Sequence, residues 1–199
     1  LKENLFLLFL SVITQIPLII VGKPGTGKSL SSKLIYNAMR GKYSKNDFFK
    51  QYPKIIQIYF QGSKSNTPED IEKLFRKTEK LIKDRKNREK NEKMPIYMIL
   101  FDELGLADKS PKNPLKVLHH KLEYDGTNEG ICFIGISNYT LDAAKINRAL
   151  FLSVPNLEEI IDELINTSKG IVKNISPELI DQKNMIIFII LSNAYSEYK

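Results

Sequence analysis

Gly22-Lys23-Pro24-Gly25-Thr26-Gly27-Lys28-Ser29 sets glycines, a lysine and a hydroxyl at the spacing of a phosphate-wrapping loop, the P-loop or Walker A pattern. Glycines let successive backbone N–H groups curl around anionic oxygens, and a helix starting at Lys28 turns its positive end toward them. Lys28 supplies a cation to β and γ phosphates. Ser29 offers a hydroxyl to Mg²⁺, which keeps several waters and takes one or two protein oxygens beside phosphate oxygens. Gly22, Pro24, Gly25, Thr26, Gly27, Lys28, Ser29 and Leu30 are therefore the expected contacts to ATP, with Mg²⁺ as its companion.

Met98-Ile99-Leu100-Phe101-Asp102-Glu103 is an apolar run closed by two carboxylates, the Walker B pattern. In an open parallel sheet the end of such a strand faces the ligand crevice. Asp102 is placed to hold the Mg²⁺ shell, and Glu103, next to it but pointing elsewhere, to polarise the water that attacks the γ phosphate. Alone, an acidic pair at a strand end means little; coupled to the P-loop it acquires this role. Ile134-Gly135-Ile136-Ser137-Asn138 ends another apolar run in a polar pair, and Asn138 is read as positioning the attacking water beside Glu103, with capping of the next turn as its plainer role. His119 and His120 are adjacent on an expected helix and splay apart, so they do not share a metal. Cys132 reads as core.

These residues need a scaffold of alternating strands and helices. Apolar residues at helical spacing predict an amphipathic helix over 2–16, closed by Pro17, and Leu18 to Val21 is a strand buried on both faces. A helix over 28–40 follows, with Leu30, Leu34, Ile35 and Ala38 turned inward, then a strand at 55–60. Thr67-Pro68-Glu69-Asp70 is a helix start with a capping box, and Ile71, Leu74, Phe75, Leu81 and Ile82 give that helix its face. The charged run Lys83 to Lys93 reads as a solvated extension leading into a loop. Strands at 96–101, 131–136 and 149–154 and a helix over 114–124 complete an α/β, doubly wound parallel sheet of five strands. Two apolar segments after Pro155 have no strand partner, which predicts a core over 1–155 and a partial helical lid over 156–199.

Composition sets the outer bounds. At 199 residues, 42% hydrophobic and 27% charged, the chain is an ordinary folded domain, neither collagen-like nor a disordered tail. One cysteine excludes an intrachain disulfide and a cysteine-based zinc site, and a reducing, cytoplasmic setting is expected. The net charge of +7 arises from 30 basic residues interspersed with 23 acidic ones, which reads as a solvated surface, so nucleic acid is not an expected partner. Leu5 to Ile13 lacks the cleavage site of a leader, and neither it nor Met185 to Leu191 approaches the ~20 apolar residues of a membrane helix. Leu1 in place of a starting Met reads as a piece of a longer chain.

The Asn-Lys-x-Asp sequence of switch GTPases and the Leu-Ser-Gly-Gly-Gln signature of ABC ATPases are both absent. The Asp-Glu pair, the Asn at the next strand end and the trailing helical segment resemble the AAA+ ATPases. Within them, Val21-Gly22-Lys23-Pro24-Gly25, Asp102-Glu103-Leu104-Gly105-Leu106-Ala107, Ser110-Pro111, Pro114-Leu115-Lys116, Gly135-Ile136-Ser137-Asn138 and Lys145-Ile146-Asn147-Arg148 are similar to the AAA+ module of the mysterin family, giant RING-bearing ubiquitin ligases with a dynein-like core. The resemblance spans roughly residues 1–170. It implies an AAA+-type P-loop NTPase, neighbouring AAA+ units in the same parent chain, and ubiquitin-pathway partners reached through that parent. It also implies that Arg148, after a short helix over 141–147, is the arginine that reaches a neighbour's nucleotide; its plainer role is a surface pair with a carboxylate such as Asp142. No RING motif lies in this stretch. The expected function is Mg-ATP binding and hydrolysis that drives or gates conformational change. The rivals are an ATP-dependent scaffold without turnover, a P-loop small-molecule kinase and a nucleic-acid remodeller.

Overall fold

The computed structural model describes residues 2–88, 93–123, 130–142 and 147–154. The chain divides into two units, Leu1–Val154 and Pro155–Lys199, and every described residue belongs to the first. The lid expected over 156–199 lies outside the described residues.

Five parallel strands form one sheet in the order β2-β3-β4-β1-β5: β1 (Leu18–Val21), β2 (Ile55–Gln61), β3 (Ile96–Asp102), β4 (Ile131–Ser137) and β5 (Leu150–Ser153). Side-chain alternation along β3 divides the core in two. Tyr97, Ile99 and Phe101 face one helical layer, whereas Ile96, Met98 and Leu100 face the other. Burial on both faces explains why β1, β3 and β4 read as continuous apolar runs. Under Asp102, the Phe101 ring packs edge-on against Phe60 at 4.8 Å and Phe133 at 6.3 Å, and this aromatic column fixes the strand end.

One layer is built from α1 (Lys2–Thr14) and α2 (Lys28–Ala38), with α3 (Asp47–Lys50) beside α1. The other holds α4 (Pro68–Arg88), α5 (Leu104–Asp108) and α6 (Lys116–Lys121). Helix α1 stops two residues earlier than its apolar spacing predicts, because Gln15 adopts φ 58° ahead of Pro17 and its side chain accepts a bond from the Gly130 N–H at 2.9 Å. The capping box of α4 forms as expected: the Thr67 N–H donates to Asp70 Oδ2 at 2.8 Å and the Asp70 N–H to Thr67 Oγ1 at 3.3 Å. Much of the charged run continues α4 as far as Arg88, where Arg85, Lys86 and Arg88 complement the helix's negative end.

Three expectations about packing fail. Leu30 and Leu34 are 48% and 41% exposed, and α2 instead buries Ser31, Ser32 and Ile35. The buried hydroxyls are satisfied locally, Ser31 by the Gly27 carbonyl at 2.8 Å and Ser32 by the Ser29 carbonyl at 2.9 Å. Leu81 is exposed because Thr78 takes the inward position between Phe75 and Ile82. The helix expected over 114–124 shrinks to α6, since Pro114 and Leu115 form a tight turn whose carbonyls accept from Val117 and Leu118. Helix α5 had no sequence signal of its own, being five residues long.

Candidate functional site

The strand order puts the carboxyl ends of β3, β4 and β1 side by side, the edge where open α/β sheets bind ligands. The P-loop leaves β1 there. Gly25 and Gly27 take φ 85° and 78°, a region that other residues enter at a cost of ~1–2 kcal/mol, so the loop's curl depends on them. The Gly22 N–H donates to the Ser137 carbonyl at 3.2 Å, extending the β1–β4 pairing and tying the loop's first residue to the end of β4.

Lys28 is 5% exposed, and its ammonium donates to the Gly22 carbonyl at 2.6 Å and the Lys23 carbonyl at 2.8 Å. The loop thus aims its cation at its own rim. Burial pulls the Lys28 pKa below the ordinary lysine value, and the Glu103 and Asp102 carboxylates push it back up. That opposition places both carboxylates within electrostatic reach of the amine. Thr26 locks the turn, its hydroxyl donating to the Lys23 carbonyl at 2.9 Å. Pro24, Gly25, Ser29 and Leu30 are exposed around it.

Asp102 closes β3, its Oδ1 accepting the Glu103 N–H at 2.9 Å and its Oδ2 the Tyr59 hydroxyl at 3.4 Å. Partial burial and the Asp102 carboxylate raise the Tyr59 pKa. Glu103 sits at φ 54°, ψ 40°, a strained conformation for a residue with a side chain, which turns its carboxylate out of the strand direction. Asn138, one residue past β4, donates from Nδ2 to Glu103 Oε1 at 2.9 Å. Beneath it, Ser137 is fully buried, and its hydroxyl donates to the Tyr139 carbonyl at 2.6 Å while accepting the Tyr139 N–H at 3.0 Å, which fixes the exit of β4.

Gly62 is a site residue that sequence reasoning missed. A Cβ there would lie 2.3 Å from the Glu103 carbonyl oxygen, and the Gly62 N–H donates to the Asp102 carbonyl at 2.7 Å. Its only sequence signal is a glycine just after a strand. Tyr59 was missed as well, since an exposed tyrosine on β2 carries no pattern.

Ser29 and Asp102 offer hard oxygen donors of the kind Mg²⁺ takes, and among the described residues no group of three or more His, Cys, Asp or Glu could hold a metal unaided. The donor set fits a metal that arrives with phosphate oxygens. Arg148 stands elsewhere: its Nη1 bonds the His119 carbonyl and the Glu123 carboxylate, each at 2.7 Å, and it is exposed. Its partner is thus Glu123, where the sequence had suggested Asp142. Cys132 is core, as expected, facing Ser11 of α1. No described helix is long and apolar enough to cross a membrane.

Comparison with known proteins agrees with this architecture. The structure of C. elegans PCH-2 superposes with a TM-score of 0.54 over 98% of this chain and 57% of the other, at 15% identity, a likeness of fold. Among sequences, the E3 ubiquitin-protein ligase rnf213-beta of Danio rerio is 38% identical over 194 residues, covering 94% of this chain. The E3 ubiquitin-protein ligase RNF213 of Homo sapiens is 38% identical over 178 residues and that of Mus musculus 35% over 202. The chain spans only 3–4% of the length of these relatives. The family profile described as RNF213 AAA domain matches residues 1–160, in keeping with the motifs after Asp102. With an AAA+ P-loop fold and that match, the chain belongs to the RNF213 AAA domain family.

Proposed function

We propose that this module binds Mg-ATP between the P-loop and the ends of β3 and β4, and hydrolyses it. The observation that carries the reading is the Asn138–Glu103 hydrogen bond of 2.9 Å on the sheet edge that also holds Lys28 and Asp102. The loop's N–H groups and Lys28 take the phosphates, and the ammonium exchanges the Gly22 and Lys23 carbonyls for phosphate oxygens. Ser29 and Asp102 would hold Mg²⁺, which would neutralise charge on the phosphates. Asn138 orients the Glu103 carboxylate, and Glu103 takes the proton of the attacking water as it closes on the γ phosphorus. The ADP leaves with the β-phosphate oxygen that carried the broken bond. The parent chain, an E3 ubiquitin ligase of RNF213 type, uses the ATP cycle to drive or gate conformational change among its AAA+ units. Arg148 reaches the nucleotide of a neighbouring unit.

Phosphate release from Mg-ATP by the parent protein and by Glu103→Gln tests the reading. Gln keeps the shape and loses the base, so turnover at this site falls by about 10²–10⁴ while ATP affinity is retained. Loss of binding in Glu103→Gln would make Glu103 a ligand or a structural residue and end its role as base.

A further inference from the structure

At the amino edge of the sheet, away from the P-loop, a cavity of about 410 Å³ is lined by Arg40, Lys42, Tyr43, Lys50, Lys54 and Lys93. Arg40 follows the end of α2, whose 11 residues carry the chain about 16 Å from Lys28. Lys54 and Lys93 lie just ahead of β2 and β3. Five cations therefore share one hollow, and no carboxylate is among its described lining residues.

Lys42 has partners of its own, its ammonium lying 5.4 Å from the Tyr43 ring centroid, so the site rests on Arg40 and Lys54. Lys50 pairs with Asp47 at 2.6 Å, and Lys93 reaches only the Gln51 carbonyl at 3.4 Å. The Arg40 guanidinium lies 5.3 Å from the Tyr36 ring centroid with no described carboxylate partner, and Lys54 has no described partner. The negative end of α2 accounts for about half a charge, which one cation satisfies. The rim is also rigid. The Arg40 N–H donates to Ser44 Oγ at 2.9 Å, the Ile55 N–H to the Met39 carbonyl at 3.0 Å, and Gly41, at φ 61°, passes so near Lys54 that a Cβ would touch it at 3.4 Å. Arg40 and Lys54, carried on this hydrogen-bonded rim without a described carboxylate, would gain from an anion in the hollow.

We propose that this cavity is a second anion site, separate from the P-loop, and that it takes a compact polyphosphate with several phosphates on one small scaffold. Its volume is that of a small-ligand pocket, roughly 300–1,000 Å³. A single-stranded nucleic acid would call for a groove with successive aromatic platforms. Here one exposed ring, Tyr43, stands at the mouth.

The test is equilibrium binding of radiolabelled inositol hexakisphosphate to the full-length protein, wild type against Arg40→Gln/Lys54→Gln. One equivalent should disappear, or weaken by about tenfold or more, in the double variant. The charge-conserving Arg40→Lys/Lys54→Arg should restore it, and unchanged Mg-ATP affinity and thermal midpoint show that the variants fold. Lys28→Ala should leave this equivalent in place; its loss there would assign the ligand to the P-loop and overturn the proposal. Cosedimentation with phosphatidylcholine vesicles containing phosphatidylinositol 4,5-bisphosphate separates the sources. Variant-sensitive pelleting identifies a lipid headgroup as the ligand, and its absence alongside hexakisphosphate binding identifies a free polyphosphate. No variant-sensitive binding, or displacement of the label by an oligouridine at lower concentration than by unlabelled hexakisphosphate, overturns it.

Discussion

Gly62→Ala isolates the placement of Glu103 from its chemistry. The φ of Gly62 lies outside the left-handed region, so alanine is tolerated by the backbone and the whole effect is steric. The new Cβ would sit 2.3 Å from the Glu103 oxygen, 2.9 Å from its carbonyl carbon and 3.0 Å from Phe101 Cε2, whereas ordinary contact begins at 3.4 Å. Relief requires about 1 Å of movement, and Phe101, locked between Phe60 and Phe133, leaves the Glu103 backbone to supply it. Overpacking of this size costs ~1–3 kcal/mol, and strain on the Gly62–Asp102 hydrogen bond contributes about 1 kcal/mol of that. A 1 Å displacement of a catalytic group costs about 10²-fold in rate. The P-loop is untouched, so ATP affinity should stay within about threefold. Thermal unfolding, ATP calorimetry and phosphate release on the same preparation read the three effects separately. A lowered midpoint with phosphate release within about threefold of wild type would refute the claim that Glu103 must be held in place.

Cys132 gives a pH test. Burial pushes its thiol from 9.0 up to about 12, so the unfolded chain releases this proton first and the stability it represents is full below pH 9 and lost as pH rises toward 12. Denaturant unfolding from pH 8 to 10.5 should show wild type losing about 1.4 kcal/mol per unit above 9 relative to Cys132→Ala, and parallel curves would mean the thiol is accessible. For Arg148→Ala, the exposed pair with Glu123 is worth less than about 1 kcal/mol, so stability barely moves. In the full-length protein the same change should leave this module's ATP affinity intact and slow turnover at the adjacent site by about 10³-fold or more; unchanged turnover throughout would leave Arg148 as the surface partner of Glu123 and His119.

The sheet and the phosphate loop were legible because their signals are local. Leu18 to Val21 running into Gly22, and Ile96 to Phe101 running into Asp102, each combine a buried strand with the residue types that its end requires. The capping box at Thr67 and Asp70 is equally self-contained. The errors came where packing decides. Leu30 and Leu34 looked like the inward face of α2, but the helix buries Ser31 and Ser32 instead, whose hydroxyls bond the Gly27 and Ser29 carbonyls about one turn back. Gly62 and Tyr59 act on Asp102 and Glu103 from 40 or more positions away in sequence, through a strand pairing that no local pattern announces. Asn138 could be placed beside Glu103 from the sequence, but their direct 2.9 Å bond could not, since it arises only when β3 and β4 lie side by side.

Calorimetric titration of Mg-ATP into the chain and into Lys28→Ala tests nucleotide binding at the P-loop. The Lys28 ammonium is the only side-chain cation that the P-loop turns onto its own rim, bonding the Gly22 and Lys23 carbonyls where phosphate oxygens would enter. One Mg-ATP site per chain is expected, with no measurable binding in the variant. Absence of binding to the wild-type chain, or affinity in Lys28→Ala within about twofold of it, would refute ATP binding at the P-loop.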